Sequence, residues 1–187
     1  DATLVGVGLE RVGHRDYAIL DGGFTRWVEE SRPVDTRLPE IARTEYAANP
    51  AADDFTVDAR AVLGHVERKD AIIIDTRPAD YFDGKKSEEA RAGRIPGSIN
   101  RPLSEDLTKS GNVVAFKPAA ELEKAYAARI PSRDSKVVVS CRTGHQASQT
   151  YFVLRHLLGY RNVSWYDASW SEWSSRPELP VEVPAAR

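Results

Sequence analysis

Two short runs of unbroken apolar residues interrupt an otherwise mixed chain: Ala71–Asp75 (AIIID) and Lys136–Ser140 (KVVVS). Runs of this length, bounded by charged and turn residues, predict strands buried on both faces of a parallel sheet. Helical spacing surrounds them. Val57, Ala61, Val62 and Val66 form one apolar stripe on a helix expected from Thr56 to about Val66, with Thr56 as its cap. Pro118 opens a second helix that runs to about Arg129 and is closed by Pro131, and a third is expected over Ala147–Leu158. Gly97–Asn100 reads as a turn and a short strand. Alternating strands and helices predict an α/β fold, a parallel sheet flanked by helices on both faces.

The chain also resembles itself. GHRDYAILDGGFTRW (13–27) and GYRNVSWYDASWSEW (159–173) align at an offset of 146, with Gly13/Gly159, Arg15/Arg161, Asp21/Asp167 and Trp27/Trp173 identical. Each copy reads as a turn, a short strand (Ala18–Leu20, Ser164–Tyr166) and a short helix ending in tryptophan, and S-R-P follows each. Duplication is favoured over chance. On that reading residues 1–33 are the C-terminal part of a first copy, 34–54 (with Pro33, Pro39 and Pro50 nearby) a linker, and 55–187 a complete domain. The apolar residues of 1–33, among them Leu4, Val5, Leu20 and Phe24, then call for an upstream N-terminal fragment of the same protein to cover them.

Composition narrows the function classes. Lys+Arg number 26 against 28 Asp+Glu, for a net charge of -2, which argues against a nucleic-acid partner. No apolar run approaches the roughly 18 residues of a membrane-spanning helix, so no membrane partner is expected. The 187 residues include no methionine and do not open like a signal peptide, so a piece of something longer is expected. One cysteine, Cys141, excludes an internal disulfide and a multi-thiolate metal site, and no metal or cofactor is expected. A lone thiol leaves the compartment open, with the cytoplasm favoured and the periplasm retained.

The chemistry sits in KVVVS-CRTGHQ-ASQTYFVLRHLLGY. Cys141 follows a buried strand, and a helix begins a few residues later, the position where parallel α/β sheets bind ligands. Successive amides of Arg142, Thr143, Gly144, His145 and Gln146 can form a concave anion site there, with Gly144 allowing the tight curve. A thiolate so placed is expected to have a lowered pKa and to act as a nucleophile. A buried cysteine serving as a small hydrophobe is the alternative. Phosphatase chemistry is disfavoured, because an arginine six positions after the cysteine would be needed and Ala147 stands there. The shorter loop suits a single sulfur atom held as a persulfide.

Three motifs, IIDTRPADYFDG (73–84), GRIPGSIN (93–100) and CRTGHQ (141–146), together with the ending GYRNVSWYDASWSEW, resemble the rhodanese (thiosulfate sulfurtransferase) family in its tandem two-domain form. The second motif carries Arg94 and Ser98 where the family has histidine and alanine. The resemblance implies a ping-pong transfer in which Cys141 takes the outer sulfur of thiosulfate or a related anionic donor. The persulfide then passes it to cyanide or a thiol acceptor. Arg142 would define an anionic entrance, and Asp75 and Arg77 would support the loop rather than touch substrate. Arg91 is a substrate or loop-support candidate. A mercaptopyruvate sulfurtransferase is an alternative, although Asp80 stands where its first carboxylate-binding arginine is expected. A non-catalytic persulfide carrier or interaction module is the other alternative. Trp165, Trp170 and Trp173 read as core, and the charge run Lys85–Arg94 as a solvated loop in preference to one overhanging the site.

Overall fold

The computed structural model describes residues 1–183. The two apolar runs form β1 (Ile72–Asp75) and β5 (Val137–Ser140), parallel and in register from Ile72 opposite Val137 to Asp75 opposite Ser140. The short β2 (Ile99–Asn100) and β6 (Val163–Trp165) flank them, giving a four-stranded parallel sheet in the order β2-β1-β5-β6. Strand side chains alternate between faces. Ile74, Val137 and Val139 join one core with Leu122, Tyr126, Tyr151 and Leu154, while Ile73 and Val138 join a second with Val62, Tyr166, Trp170 and Trp173. Covering both faces is what allows each strand to be apolar throughout.

The first core is roofed by α1 (Ala2–Arg11), α5 (Ala119–Ala127) and α6 (His145–Phe152, continued by a π-turn over Val153–Leu157). The second is roofed by α3 (Ala59–Arg68) and α7 (Ser169–Ser175). The cap of α3 is Asp58, not Thr56: its carboxylate accepts from Ala61 N at 2.8 Å. Thr56 instead bridges to Trp165 at the sheet edge, which pulls it out of helical conformation. Between the sheet strands the chain forms α4 (Ala79–Phe82) and an antiparallel hairpin, β3 (Leu107–Ser110) with β4 (Val113–Phe116). The hairpin carries no alternating apolar signal and is missing from the sequence-based expectation.

Residues 1–54 divide differently from expectation in one respect. Ala18–Leu20 is not a strand, because no neighbouring strand among the described residues offers it a ladder. The helix after it, α2 (Gly23–Glu29), falls at the 146-residue offset from α7, end for end. Matching backbone kinks accompany it: Gly13 and Gly159 have φ of 85° and 69°, and Gly23 and Ser169 have φ of 60° and 51°. Helix α1 lies against α6, with Thr3 Oγ1 3.0 Å from Ser148 Oγ and Glu10 2.7 Å from His156. Glu10 and His156 are themselves 146 positions apart. Residues 32–49 lack regular structure and are exposed, apart from links such as Asn49 N donating to Val12 O.

Candidate active site

Because Asp75 and Ser140 are register partners, β1 and β5 end level with each other, and the segments that follow them converge. A cavity of about 300 Å³ opens there, with Cys141 in its lining. Arg77, Pro78 and Tyr81 come from the segment after β1, Ser87, Glu88 and Glu89 from the charged loop, and Arg142, Thr143, His145 and Gln146 from the segment after β5. Trp170 completes the lining. Four of the five loop residues singled out in the sequence thus line the cavity with Cys141; Gly144 is buried behind them.

The turn after Cys141 is shaped from outside. Gly144 has φ of 78°, and a Cβ there would sit 2.5 Å from the Asp167 carbonyl oxygen, so the position needs glycine for conformation and for space. Ser169 Oγ accepts from both Cys141 N (3.1 Å) and Gly144 N (3.2 Å) while donating to Tyr166 O. The carbonyls of Cys141 and Arg142 accept from Trp170 N and Ser171 N, and that of Gly144 accepts from Trp165 Nε1 at 2.9 Å. With those groups tied down from behind, the amides of Ala147, Thr143 and Gln146 are directed at the Cys141 sulfur. Sequence reasoning missed Ser169. A serine two residues after Asp167 reads as a helix start, and only the fold brings it under the loop.

The thiol departs from expectation. Cys141 is 1% exposed, and burial pushes its pKa above the ordinary value despite the three amides that favour the thiolate; the Asp75 carboxylate adds to the upward push. The expected lowering of its pKa is therefore corrected. Desolvation outweighs the amide cradle because the sulfur lies at the floor of the site rather than on its rim.

Asp75 and Arg77 form a buried ion pair, with bonds of 2.6–3.0 Å, and Arg77 also donates to Gly93 O and lies 4.7 Å over the Trp170 ring. Burial pushes the Asp75 carboxyl up, against the pull of Arg77. Arg91 is not among the cavity residues. Its guanidinium donates to the carbonyls of Ser174, Leu179, Trp173 and Arg176, all at 2.7–2.8 Å, which ties down the C-terminal end of α7. The substrate role considered for it has no geometric support. Asp80 pairs with Lys86 on the surface. Of the charged loop, Lys85–Glu88 is exposed, as expected of a solvated segment, yet Ser87–Glu89 also lines the cavity, where Arg142 pairs with both glutamates. Trp165, Trp170 and Trp173 are buried as core residues.

The model of the rhodanese-like domain matches residues 58–176. A thiosulfate sulfurtransferase of Corynebacterium glutamicum is 34% identical over 187 aligned positions, covering 93% of this chain and 60% of that protein. The sulfur carrier protein TtuD of Thermus thermophilus is 33% identical over 180 positions, covering 90% and 62%. The chain therefore spans about three fifths of the length of these relatives. Among solved structures, the anaerobic ergothioneine biosynthesis enzyme of Chlorobium limicola superposes with a TM-score of 0.85 at 24% identity, over 99% of this chain and 45% of that one, a likeness of fold. A Cys141 turn at the carboxyl edge of a parallel sheet, held within a segment that matches the family throughout, identifies the chain as a member of the rhodanese-like family.

Proposed function

We propose that the chain moves a sulfane sulfur from thiosulfate or a related donor to cyanide or a thiol, through a persulfide on Cys141. The observation that carries this reading is the cradle of Thr143, Gln146 and Ala147 amides around the one cysteine sulfur, at the floor of a cavity. The Cys141 thiol loses its proton to solvent, and the thiolate attacks the outer sulfur of the donor. The donor S–S bond breaks, and sulfite leaves with the bonding pair. The preorganised amides around the Cys141 sulfur stabilise the thiolate that attacks the donor and the thiolate that is released at the end, without rearrangement. Cyanide then attacks the outer sulfur, the S–S pair returns to Cys141, and thiocyanate departs.

A mercaptopyruvate donor is less well served. Arg91 is spent on carbonyls and Asp80 on Lys86, which leaves neither position to clamp a carboxylate. We read residues 1–33 as the tail of a first copy of the same domain, 34–54 as a linker, and 55–187 as the catalytic domain. The coincident bounds of α2 and α7 and their shared positive-φ positions support this. Phe24 and Val28 on α2, 68% and 50% exposed, are the face an N-terminal fragment of the protein would cover, whereas Trp170 at the position matching Phe24 is buried.

The test is thiocyanate production from thiosulfate and cyanide, with intact mass read in parallel. Activity in the native sequence, lost in Cys141→Ser, and a transient gain of one sulfur atom support the reading. Sulfur loading with no thiocyanate turnover favours the persulfide carrier, and no loading from any sulfane donor refutes both.

A further inference from the structure

Two of the three amides directed at the Cys141 sulfur, those of Gln146 and Ala147, belong to the first turn of α6, and α1 grips that turn from the side. Ser148 Oγ donates to the His145 carbonyl at 2.6 Å. A carbonyl only accepts, so the single hydroxyl proton of Ser148 is committed there. The 3.0 Å contact between Thr3 Oγ1 and Ser148 Oγ therefore has Thr3 as its donor. Thr3 is buried and Ser148 fully so, where little water can replace either bond. The His145 carbonyl and the Gln146 N–H share one planar trans peptide and point in opposite directions. Holding that carbonyl fixes the aim of the amide at the sulfur.

We propose that Thr3 is a positioning residue for the Cys141 cradle, acting through Ser148 and the His145 carbonyl, so that residues 1–33 supply a working part of the site. This role rests on the sulfur-transfer reading for what the cradle does. Thr3 does not line the cavity and touches no substrate; it keeps the Ser148 hydroxyl in place by giving it a proton to accept. A second link between the same segments, Glu10 to His156 at 2.7 Å, lies beyond the end of α6, in the π-turn. It fastens α1 without reaching the cradle, and so separates positioning from docking.

Cys141 is the only cysteine, so alkylation by iodoacetamide, followed by intact mass across a pH series, reports on its thiol alone. No variant below changes the groups that face the sulfur: the Thr143, Gln146 and Ala147 amides and the Asp75 carboxylate. Thr3→Val removes the donor at nearly constant shape and sets a methyl group against a buried hydroxyl oxygen. The thiol titration should move up by about half a pH unit, about threefold less thiolate at neutral pH, and thiocyanate formation should slow with it. Thr3→Ser should restore both. Glu10→Gln should lower stability and leave the titration where the native sequence has it. Ser148→Ala should reproduce the shift, and Thr3→Val should add nothing to it, since both act in one relay. A titration that Thr3→Val does not move, or that Glu10→Gln moves as far, overturns the positioning role and leaves α1 a packing helix. If Thr3→Val does not fold, Ser148→Ala decides, and an unmoved titration there has the same consequence. Alkylation needs no sulfur donor, so its outcome stands apart from the transfer reading, which fails if the native sequence takes up no sulfur.

Discussion

The Ser169 hydroxyl accepts hydrogen bonds from the backbone amides of Cys141 and Gly144, 28 and 25 residues away in sequence, and so sets the curvature of the loop from beneath. Ser169 itself is fully buried and sits at φ of 51°, a backbone position costly for any residue but glycine. The third bond, to Tyr166 O, fixes the direction of the hydroxyl proton and leaves its lone pairs for the two amides.

Replacing Ser169 by alanine strands those two buried amides. A stability loss of about 1–3 kcal/mol is expected, since each unsatisfied buried donor forfeits its solvation. The loop would also relax, and a shift of the cradle amides on the order of 1 Å costs roughly a hundredfold in rate. Denaturant melts together with kcat/KM for thiocyanate formation test this. Unchanged kcat/KM in a folded Ser169→Ala protein would show that the loop holds its own shape.

A raised thiol pKa has a kinetic signature. With Cys141 titrating above the ordinary thiol value of about 8.5, its alkylation by neutral iodoacetamide should rise roughly tenfold per pH unit between about pH 6.5 and 8, without a plateau. A plateau below about pH 7.5 would mean that the amide cradle outweighs burial. The same titration in Asp75→Asn is not a clean control, because that change leaves the buried Arg77 unpaired.

Arg91 holds four carbonyls around the end of α7, a task a lysine ammonium on a single point cannot repeat. Arg91→Lys should lower stability by about 2–4 kcal/mol, on the scale of several charge-assisted bonds lost. KM for the sulfur donor should remain close to that of the native sequence. A raised KM at unchanged stability would restore the substrate role to this arginine.

Glu10 couples α1 to α6 and carries a pH dependence of definite sign. Burial would raise its carboxyl, but hydrogen bonds from His156 and Tyr17 and the His156 charge outweigh it and hold the pKa below the usual 4.5. A folded-state pKa below the unfolded one means stability that is present above about pH 4.5 and lost as pH falls through the lower, folded value. Thermal midpoints measured from pH 6 down to about pH 3 should fall less steeply in Glu10→Gln than in the native sequence. Parallel curves would place the acid sensitivity elsewhere.

The parallel sheet was legible in the sequence because its signals are local. Ile72–Ile74 and Val137–Val139 are apolar without interruption, and such runs are stable only when covered on both sides. The loop was legible for a related reason: Cys141 and Gly144 lie between a strand and a helix, where the chain must turn and its amides must converge. The β3–β4 hairpin left no such trace. Its strands run from half-buried to exposed, so no apolar alternation marks them.

By itself, then, the sequence determined the layered α/β fold, the position of Cys141 at the carboxyl edge of the sheet, and the 146-residue self-similarity that predicts α2 from α7. Only the tertiary structure decided what surrounds the sulfur. Ser169 reaches the loop across 28 residues, Glu89 meets Arg142 across 53, and Arg91 is spent on carbonyls more than 80 residues away. Periodicity and turn chemistry act between neighbours along the chain. Ion pairing and desolvation depend on which distant groups the packed core brings together, and here they left the thiol buried and its neighbouring cation matched by two carboxylates.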